Sequence, residues 1–398
     1  MIRLLPQLVL AVLCAGFPGA AETAPNTFGN HVVARGAFQN ARIRFEREQR
    51  GTVAFLGGSI TEMNGYRPMV CSILTNRFPR TAFTFIQAGI SSTCSTTGAF
   101  RFGTDVLSQG RVDLLFIEFA VNDDQDAHHD RNACIRGMEG IVRQARRANP
   151  EIDIVITFFV NEFILKTLQA GRTPLTIEAH EAVAAHYAIP TIHLAGEVAK
   201  RITAGSLTWK QFGGVHPAPL GNALCASMIR ELMDRAWSRP LTPESATVPA
   251  PMPPTPLDPL NYANGRFLDP AAARFGQGWT LGIPDWQSLP GTKRPRFSAI
   301  PMLCATEPGS ELTLAFEGTA IGAYLVAGPD AGTVAVRIDG KPFPDVNLDH
   351  AYSKGLHYPR TVMFGTGLDA GPHTLSLRIA PTTSSTGHAI RIMRFAAN

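Results

Sequence analysis

The sequence predicts an α/β domain with a doubly wound parallel sheet, followed by an antiparallel β-sandwich or jelly roll. In the first part, short apolar runs alternate with helical patterns, which indicates parallel strands covered by helices on both faces. In the last third, apolar residues recur at every second position, as in half-buried antiparallel strands. Between these parts, eight prolines from Pro240 to Pro259 favour an extended, semi-rigid connector.

The strands of the first domain are predicted from its apolar runs, and a helical pattern follows each of them. The clearest helix carries Ile135, Met138, Val142 and Ala145 on one face, so this apolar stripe should pack on the sheet. The predicted strands cover residues 52–56, 83–87, 112–120, 153–160 and 191–194.

The second domain shows a period of two in several segments separated by turn signals. Asp339-Gly340 and the segment 328–332 are typical of turns between antiparallel strands. The alternating apolar residues are Leu312, Leu314 and Phe316, then Val334, Val336 and Ile338, then Leu375, Leu377 and Ile379. We therefore predict a first domain over 22–239, a proline-rich linker over 240–262 and a β-sandwich accessory domain over 263–398.

The N-terminus has the features of a secretory signal peptide over residues 1–21. Arg3 precedes an apolar stretch over 4–17, and small residues follow up to Ala21. We therefore expect a secreted or periplasmic protein. The apolar stretch is short for a membrane span, and no later segment supplies about 20 uninterrupted apolar residues, so we expect no membrane span. A net charge of +4 on 398 residues, without a basic stripe, argues against a nucleic-acid partner.

Five cysteines remain after cleavage of the predicted signal peptide. Their positions lack the close pairing of zinc and redox motifs, so they predict no metal site. An oxidising compartment permits one or two disulfides, but the pairing does not follow from the sequence. These residues are Cys71, Cys94, Cys134, Cys225 and Cys304.

Three candidate catalytic residues follow three neighbouring strands. Ser59 comes after the apolar run 53–56 and two glycines, which let the backbone turn sharply. Gly89 follows the second strand and Asn122 the third, and the carboxyl ends of strands in a doubly wound sheet form the ligand-binding edge. Acyl transfer requires a nucleophile, a base and oxyanion donors. Ser59 is the candidate nucleophile, and the donors are its own N–H, the Gly89 N–H and the Asn122 amide.

The candidate base is His216, in a Gly213-Gly214-Val215-His216-Pro217 segment before a final helical pattern. With this fourth block, residues 52–237 resemble the SGNH hydrolases, also called the GDSL esterase superfamily. The resemblance implies a flavodoxin-like sheet, Ser59 as nucleophile, Gly89 and Asn122 as oxyanion donors and His216 as general base. It implies no metal or organic cofactor.

One position departs from the family pattern. The family has an aspartate three residues before the histidine, and this chain has Gly213 there. Loss of the orienting acid costs about 10⁴ in turnover when nothing replaces it. A backbone carbonyl within 209–213, or a carboxylate such as Asp123 or Asp124, could accept the Nδ1 proton of His216. Some SGNH esterases that act on carbohydrates use a Ser-His dyad with a carbonyl in this role.

Charged residues near these blocks have competing interpretations. Glu118 lies in an apolar strand and requires a partner. That partner is an arginine such as Arg101 or Arg67, or else Glu118 supports the Asn122 loop. Either arginine could instead bind an acidic substituent of the substrate. The polar tract after Asn122 is interpreted as a solvated loop rather than a metal site; it comprises Asp123, Asp124, Asp126, His128, His129 and Asp130.

The sequence as a whole predicts a secreted serine esterase that removes acyl groups, in the first instance acetyl, from a carbohydrate. Two alternatives are a glycan O-acyltransferase and a glycan-binding protein on a decayed SGNH scaffold. In the second domain, aromatic residues could stack on sugar rings or simply form the core and pack on the first domain. These are Trp279, Trp286, Tyr352 and Tyr358.

Overall fold

The computed structural model describes residues 26–398, so the signal peptide predicted over 1–21 lies outside the described residues. The described chain consists of a mostly parallel α/β sheet with its helices, followed by two antiparallel sheets. None of the helices within 26–398 combines the length and apolar character that a membrane crossing requires. All five cysteines of this part of the chain are free thiols.

The first sheet has six strands in the order β1-β6-β5-β4-β2-β3. Strands β2 to β6 are parallel, and β1 pairs antiparallel with β6. The five predicted strands are confirmed, whereas β1, only two residues long, is too short to show a period. The strands are β1 Val32–Val33, β2 Arg50–Gly57, β3 Ala82–Gly89, β4 Leu114–Glu118, β5 Asp153–Thr157 and β6 Thr191–Ile192.

Helices cover both faces of this sheet, and their apolar sides form one core with it. The predicted amphipathic helix is α6, which begins after Asp130, whose carboxylate caps the helix by accepting the Ala133 N–H. The helices are α1 Asn40–Ile43, α2 Ser59–Glu62, α3 Tyr66–Arg77, α4 Ser95–Asp105, α5 Ala120–Gln125, α6 Arg131–Ala148, α7 Glu162–Gln169, α8 Leu175–His186, α9 Leu194–Thr203, α10 Trp209–Phe212, α11 Pro219–Ala236 and, in the second domain, α12 Pro295–Ser298.

The order of the parallel strands gives the sheet a switch point between β2 and β4. Counted along the chain, the parallel strands run 2-1-3-4-5 across the sheet, the flavodoxin-like order. In the strand register, Gly57 at the end of β2 pairs with both Gly89 and Glu118. The three strand ends are therefore level, and the segments that follow them meet at one edge.

The second domain consists of two antiparallel sheets that share a hydrophobic core. The predicted alternation is confirmed in β11, β13 and β16, whose inward residues are buried. One sheet has the order β15-β12-β17-β10-β9, with β7 paired to β17, and the other has the order β14-β13-β16-β11-β8. The strands are β7 Arg266–Leu268, β8 Arg274–Phe275, β9 Trp279–Gly282, β10 Met302–Ala305, β11 Glu311–Glu317, β12 Ala320–Ala327, β13 Thr333–Ile338, β14 Lys341–Asn347, β15 Tyr358–Thr366, β16 Pro372–Ile379 and β17 Ile390–Ala397.

The proline-rich segment between α11 and β7 contains no helix or strand, but it is not a free spacer. The Asn40 side chain pairs with the backbone N–H and C=O of Val248. Further along, the Glu139 carboxylate accepts the N–H groups of Leu257 and Asp258. These hydrogen bonds hold the segment against the first domain. The second domain lies next to the edge of the first sheet where the strands end. There, Ile90 packs in a cluster formed by second-domain residues.

Candidate active site

Ser59 and His216 meet at the carboxyl edge of the sheet. Ser59 is the first residue of α2, and its Oγ lies 2.8 Å from Nε2 of His216. His216 is on the loop between α10 and α11, with an exposed side chain, while Ser59 is half-buried. A hydroxyl within hydrogen-bond range of an imidazole nitrogen is the arrangement of an activated nucleophile and its base.

Two glycines allow the turn that presents Ser59. A Cβ atom at Gly57 would lie 2.2 Å from Oε1 of Glu118, and one at Gly58 would lie 2.0 Å from Oδ1 of Asn122. No side chain fits at either position without displacing its neighbour. The glycines therefore let β2 end directly against Glu118 and Asn122, which places Ser59 beside the Asn122 amide.

Glu118 holds this turn from inside the protein. Its Oε1 accepts hydrogen bonds from the Gly58 N–H at 2.9 Å and from the N–H and hydroxyl of Thr61 at 3.3 and 2.7 Å. The side chain is fully buried, and desolvation raises its pKa to about 7 despite these bonds. The sequence predicted an arginine ion pair or support for the Asn122 loop. The structure shows instead that Glu118 supports the Ser59 turn.

The two arginines that were considered as partners of Glu118 or of the substrate bind the protein itself. Arg101 is only 1% exposed and donates to the carbonyls of Gly57 and Ala88, while its ion pair is with Asp105. It thereby joins the ends of β2 and β3. Arg67 donates to the Thr61 carbonyl and to Asn64.

The candidate oxyanion donors lie around Ser59. Gly89 is the last residue of β3 and lies directly against α2. A Cβ atom at this position would lie only 2.3 Å from the backbone nitrogen of Glu62. Asn122 is buried in the first turn of α5, and its Nδ2 donates to Oδ2 of Asp126 at 2.8 Å. Burial raises the pKa of the Asp126 carboxyl, and hydrogen bonds from Tyr358 and Asn122 oppose that rise. The structure thus brings the candidate nucleophile, the candidate base and the candidate oxyanion donors to one edge of the sheet.

The position of the missing family aspartate cannot carry a side chain in this backbone. Gly213 has a φ of +107°, and a Cβ there would lie 2.0 Å from the Ala218 nitrogen. The Trp209 carbonyl, within the segment predicted to orient His216, accepts the N–H groups of Gly213 and Gly214. Within residues 26–398, no hydrogen bond reaches Nδ1 of His216.

The two carboxylates considered as substitutes have other partners. Asp123 is fully buried and accepts from Ser95 and from Nε2 of His180, so it anchors the start of α4. Asp124 accepts from the Asn161 amide at 2.7 Å. The structure therefore does not bring either carboxylate into a hydrogen bond with His216.

The polar tract after Asn122 is only partly the solvated loop that the sequence indicated, with His128 and Asp130 exposed. Asp123 and Asp126 are buried and hydrogen-bonded, and Asp130 caps α6, because the tract folds between α4, α6 and the second domain. Two sets of ligand-type side chains meet at Asp123, with ligand atoms within 4.8 Å of one another: Cys94, Asp123 and His129, and Asp123, Cys134 and His180. The oxygens of Asp123 already accept hydrogen bonds from Ser95 and His180, which accounts for this clustering structurally.

A cleft of about 850 Å³ adjoins the His216 loop and is lined by both domains. Gly214, Val215 and Trp209 line it from the first domain, together with Phe163, whose side chain is 63% exposed. Tyr352 lines it from the second domain and is 46% exposed. This cleft offers a ligand a mostly apolar surface with aromatic side chains next to the loop that carries His216.

The other three second-domain aromatics are not exposed platforms. Trp279 and Tyr358 are buried, and Trp286 is half-buried with its indole N–H bonded to the Ser298 carbonyl. Tyr358 donates its hydroxyl proton to Asp126 across the domain interface at 2.6 Å. Sequence reasoning missed this contact, since the residues of β15 show no alternating pattern that would indicate which of them faces the first domain.

Comparisons with known proteins agree with this geometry. Residues 55–224 match the GDSL-like Lipase/Acylhydrolase family. Two crystal structures of a two-domain esterase (CEX) active on acetylated mannans, one of them co-crystallized with mannopentaose, each superpose with a TM-score of 0.74. They share 20% and 21% identity with this chain, cover 93% of it, and are themselves covered over 97% and 98% of their lengths. No curated protein sequence matches significantly. Residues 55–224 therefore match a GDSL-like lipase/acylhydrolase domain, and the chain as a whole has the fold of the two-domain structures, an SGNH-type α/β part joined to a β-rich second domain.

Proposed function

We propose that this protein is an exported serine esterase that removes acyl groups, in the first instance acetyl, from a carbohydrate. The observation that carries the proposal is the 2.8 Å contact between Ser59 Oγ and His216 Nε2 at the strand ends of an acylhydrolase domain. The proposal of export rests on the N-terminal sequence, with its basic start, apolar stretch and small residues.

In the proposed reaction, His216 accepts the hydroxyl proton of Ser59 as the oxygen attacks the ester carbonyl carbon. The N–H groups of Ser59 and Gly89 and the Asn122 amide donate to the oxyanion that develops. His216 then protonates the departing sugar oxygen, and the acyl group remains on Ser59. Water, deprotonated by His216, attacks this acyl-enzyme and releases the carboxylic acid, which restores the free Ser59 hydroxyl.

The carbohydrate substrate is supported by the cleft and by the relatives. Tyr352 and Trp209 offer aromatic surface beside the His216 loop, on which sugar rings can stack. The two-domain structures that share this fold are described as an esterase active on acetylated mannans. Acetylated mannan is therefore the first substrate to test, with acetylated xylan as a second glycan.

Hydrolysis is favoured over acyl transfer because the His216 side chain is exposed and Ser59 is only half-buried, so water reaches the acyl-enzyme. Transfer to a sugar hydroxyl would require a site that excludes water. The Ser59–His216 contact likewise favours a catalytic protein over a decayed binding scaffold, in which this geometry would have no role.

The test is acetate release from acetylated mannan, acetylated xylan and an aryl acetate by the mature protein and by Ser59→Ala. We expect release from at least one glycan and from the aryl ester, lost in the variant. Adding free mannose oligosaccharides distinguishes transfer, because a transferase would move acetyl to them instead of releasing acetate. Equal signal from wild type and Ser59→Ala would overturn the proposal.

A further inference from the structure

The second domain contacts the buried residues that surround the candidate oxyanion donors. The Tyr358 hydroxyl donates to Oδ1 of Asp126 at 2.6 Å, and the other oxygen of that carboxylate accepts Nδ2 of Asn122 at 2.8 Å. All three side chains are less than 10% exposed. A continuous hydrogen-bonded chain thus runs from strand β15 of the second domain to the Asn122 amide.

This chain determines which way the Asn122 amide faces. A carboxylate accepts hydrogen bonds, so the nitrogen of the amide, and not its oxygen, must face Asp126. One of the two Nδ2 hydrogens is used in this bond, which leaves the second for an oxyanion. Without Asp126 the amide could rotate by 180° and present Oδ1, which repels an oxyanion. Oδ1 of Asn122 is buried without a hydrogen-bond partner, so it does not itself fix the orientation.

The second domain also holds the segment after Gly89, on the opposite side of Ser59. Arg294 donates to the Ser91 carbonyl and to the Ser92 hydroxyl, each at 2.8 Å. Arg296 pairs with Glu62, whose carboxylate also accepts the Ser91 N–H. The second domain therefore contacts both segments next to the candidate oxyanion donors, the one after Gly89 and the one after Asn122.

We propose that Tyr358 is a positioning residue for ester hydrolysis: acting through Asp126, it orients the Asn122 amide, so the second domain completes the oxyanion hole. This inference rests on the proposed esterase function. It gives the second domain a part in the rate of the chemical step, beyond any contact with the glycan. Loss of the Tyr358 hydroxyl should lower kcat and leave KM for a small ester unchanged, because the amide acts on the transition state.

The test compares Tyr358→Phe and Asp126→Ala with Thr361→Val as the matched control. The Thr361 hydroxyl accepts from Thr97 at 2.8 Å, so its loss removes another bond between the domains without touching Asp126. Four quantities are measured for each protein: kcat and KM with an aryl acetate, the rate constant for labelling of Ser59 by a fluorophosphonate, and the melting temperature. Labelling creates a tetrahedral phosphorus centre whose oxygen occupies the oxyanion hole, and it requires no natural substrate.

We expect Tyr358→Phe to lower kcat and the labelling rate by roughly 10-fold and Asp126→Ala by roughly 100-fold, with KM within about twofold of wild type. Thr361→Val should react like wild type. If Tyr358→Phe is labelled at the wild-type rate, or Thr361→Val is slowed equally, the proposal is overturned. Should Asp126→Ala fail to fold, Tyr358→Phe decides alone. If wild type is labelled but releases no acetate, the proposed esterase function is contradicted, while the labelling rates of the variants still test the role of Tyr358. If Ser59 of wild type is not labelled at all, both the proposed function and the role of Tyr358 are overturned.

Discussion

Replacement of Glu118 by glutamine should change how the stability of the first domain depends on pH. Glu118 is fully buried under the Ser59 turn, and its Oε1 accepts three hydrogen bonds. Its second oxygen, Oε2, has no hydrogen-bond partner. Glutamine keeps the accepting oxygen and the shape of the side chain. Glu118→Gln therefore removes the titratable carboxyl group and leaves the hydrogen bonds to the Ser59 turn in place.

The sign and size of the effect follow from the pKa. Desolvation raises the pKa of Glu118 from 4.5 to about 7, so between these values the folded protein binds more protons than the unfolded chain. The free energy of unfolding therefore falls as the pH rises through this window. At about 1.4 kcal/mol per pKa unit, the contribution of Glu118 falls by about 3 kcal/mol from below pH 4.5 to above pH 7.

The assay is urea unfolding followed by far-ultraviolet circular dichroism, because eleven of the twelve α-helices lie in the first domain of the described chain. Wild type and Glu118→Gln are compared at intervals from about pH 4 to pH 8. The variant should gain about 3 kcal/mol relative to wild type over this range. Other titrating groups, including the buried Asp153, cancel in the difference between the two proteins. If the unfolding free energies of wild type and Glu118→Gln changed with pH in parallel, the reasoning would be refuted.

Two further substitutions test the glycines of the site. Gly213→Asp restores the family residue but should cost at least ~2 kcal/mol in unfolding free energy and give no gain in turnover, because φ is +107° and the Cβ would meet the Ala218 nitrogen; a folded variant with raised kcat would contradict this. Gly58→Ala should lower kcat by about 10² to 10³, because its Cβ displaces the Asn122 amide. Gly103→Ala is the control, since a Cβ there meets no atom within 4 Å. Steady-state kinetics with an aryl acetate gives kcat for Gly58→Ala and Gly103→Ala, and an equal loss of kcat in the two variants would contradict this explanation.

The fold was predictable because it depends on local signals, whereas the meeting of Ser59 with His216, 157 residues apart, was expected from the resemblance to the SGNH hydrolases. Apolar runs locate parallel strands, and the carboxyl ends of such strands converge whatever the rest of the chain does. The turn at Asp339 and Gly340 is equally local, with φ values of +52° and +74°. In each case neighbouring residues contain the information.

The contacts that were not predicted join residues far apart in the chain. Glu118 was expected to need a partner, yet only the packing of β4 against β2 shows that the partner is the Ser59 turn. The buried state of Asp126 depends on Tyr358, 232 residues away. Gly213 could be recognised as a departure from the family, but its positive φ becomes visible only in the folded loop.

The central claim is that Ser59 attacks the ester with His216 as its base, and trapping the acyl-enzyme tests it most directly. The protein is mixed with an aryl acetate, quenched in acid within the first turnovers, and its peptides are mapped by mass spectrometry. We predict one acetyl group on Ser59 in wild type, none in Ser59→Ala, and acetylation of Ser59 slowed by several orders of magnitude in His216→Ala. Acetyl on another residue, or acetylation of Ser59 at the wild-type rate without His216, would contradict the account.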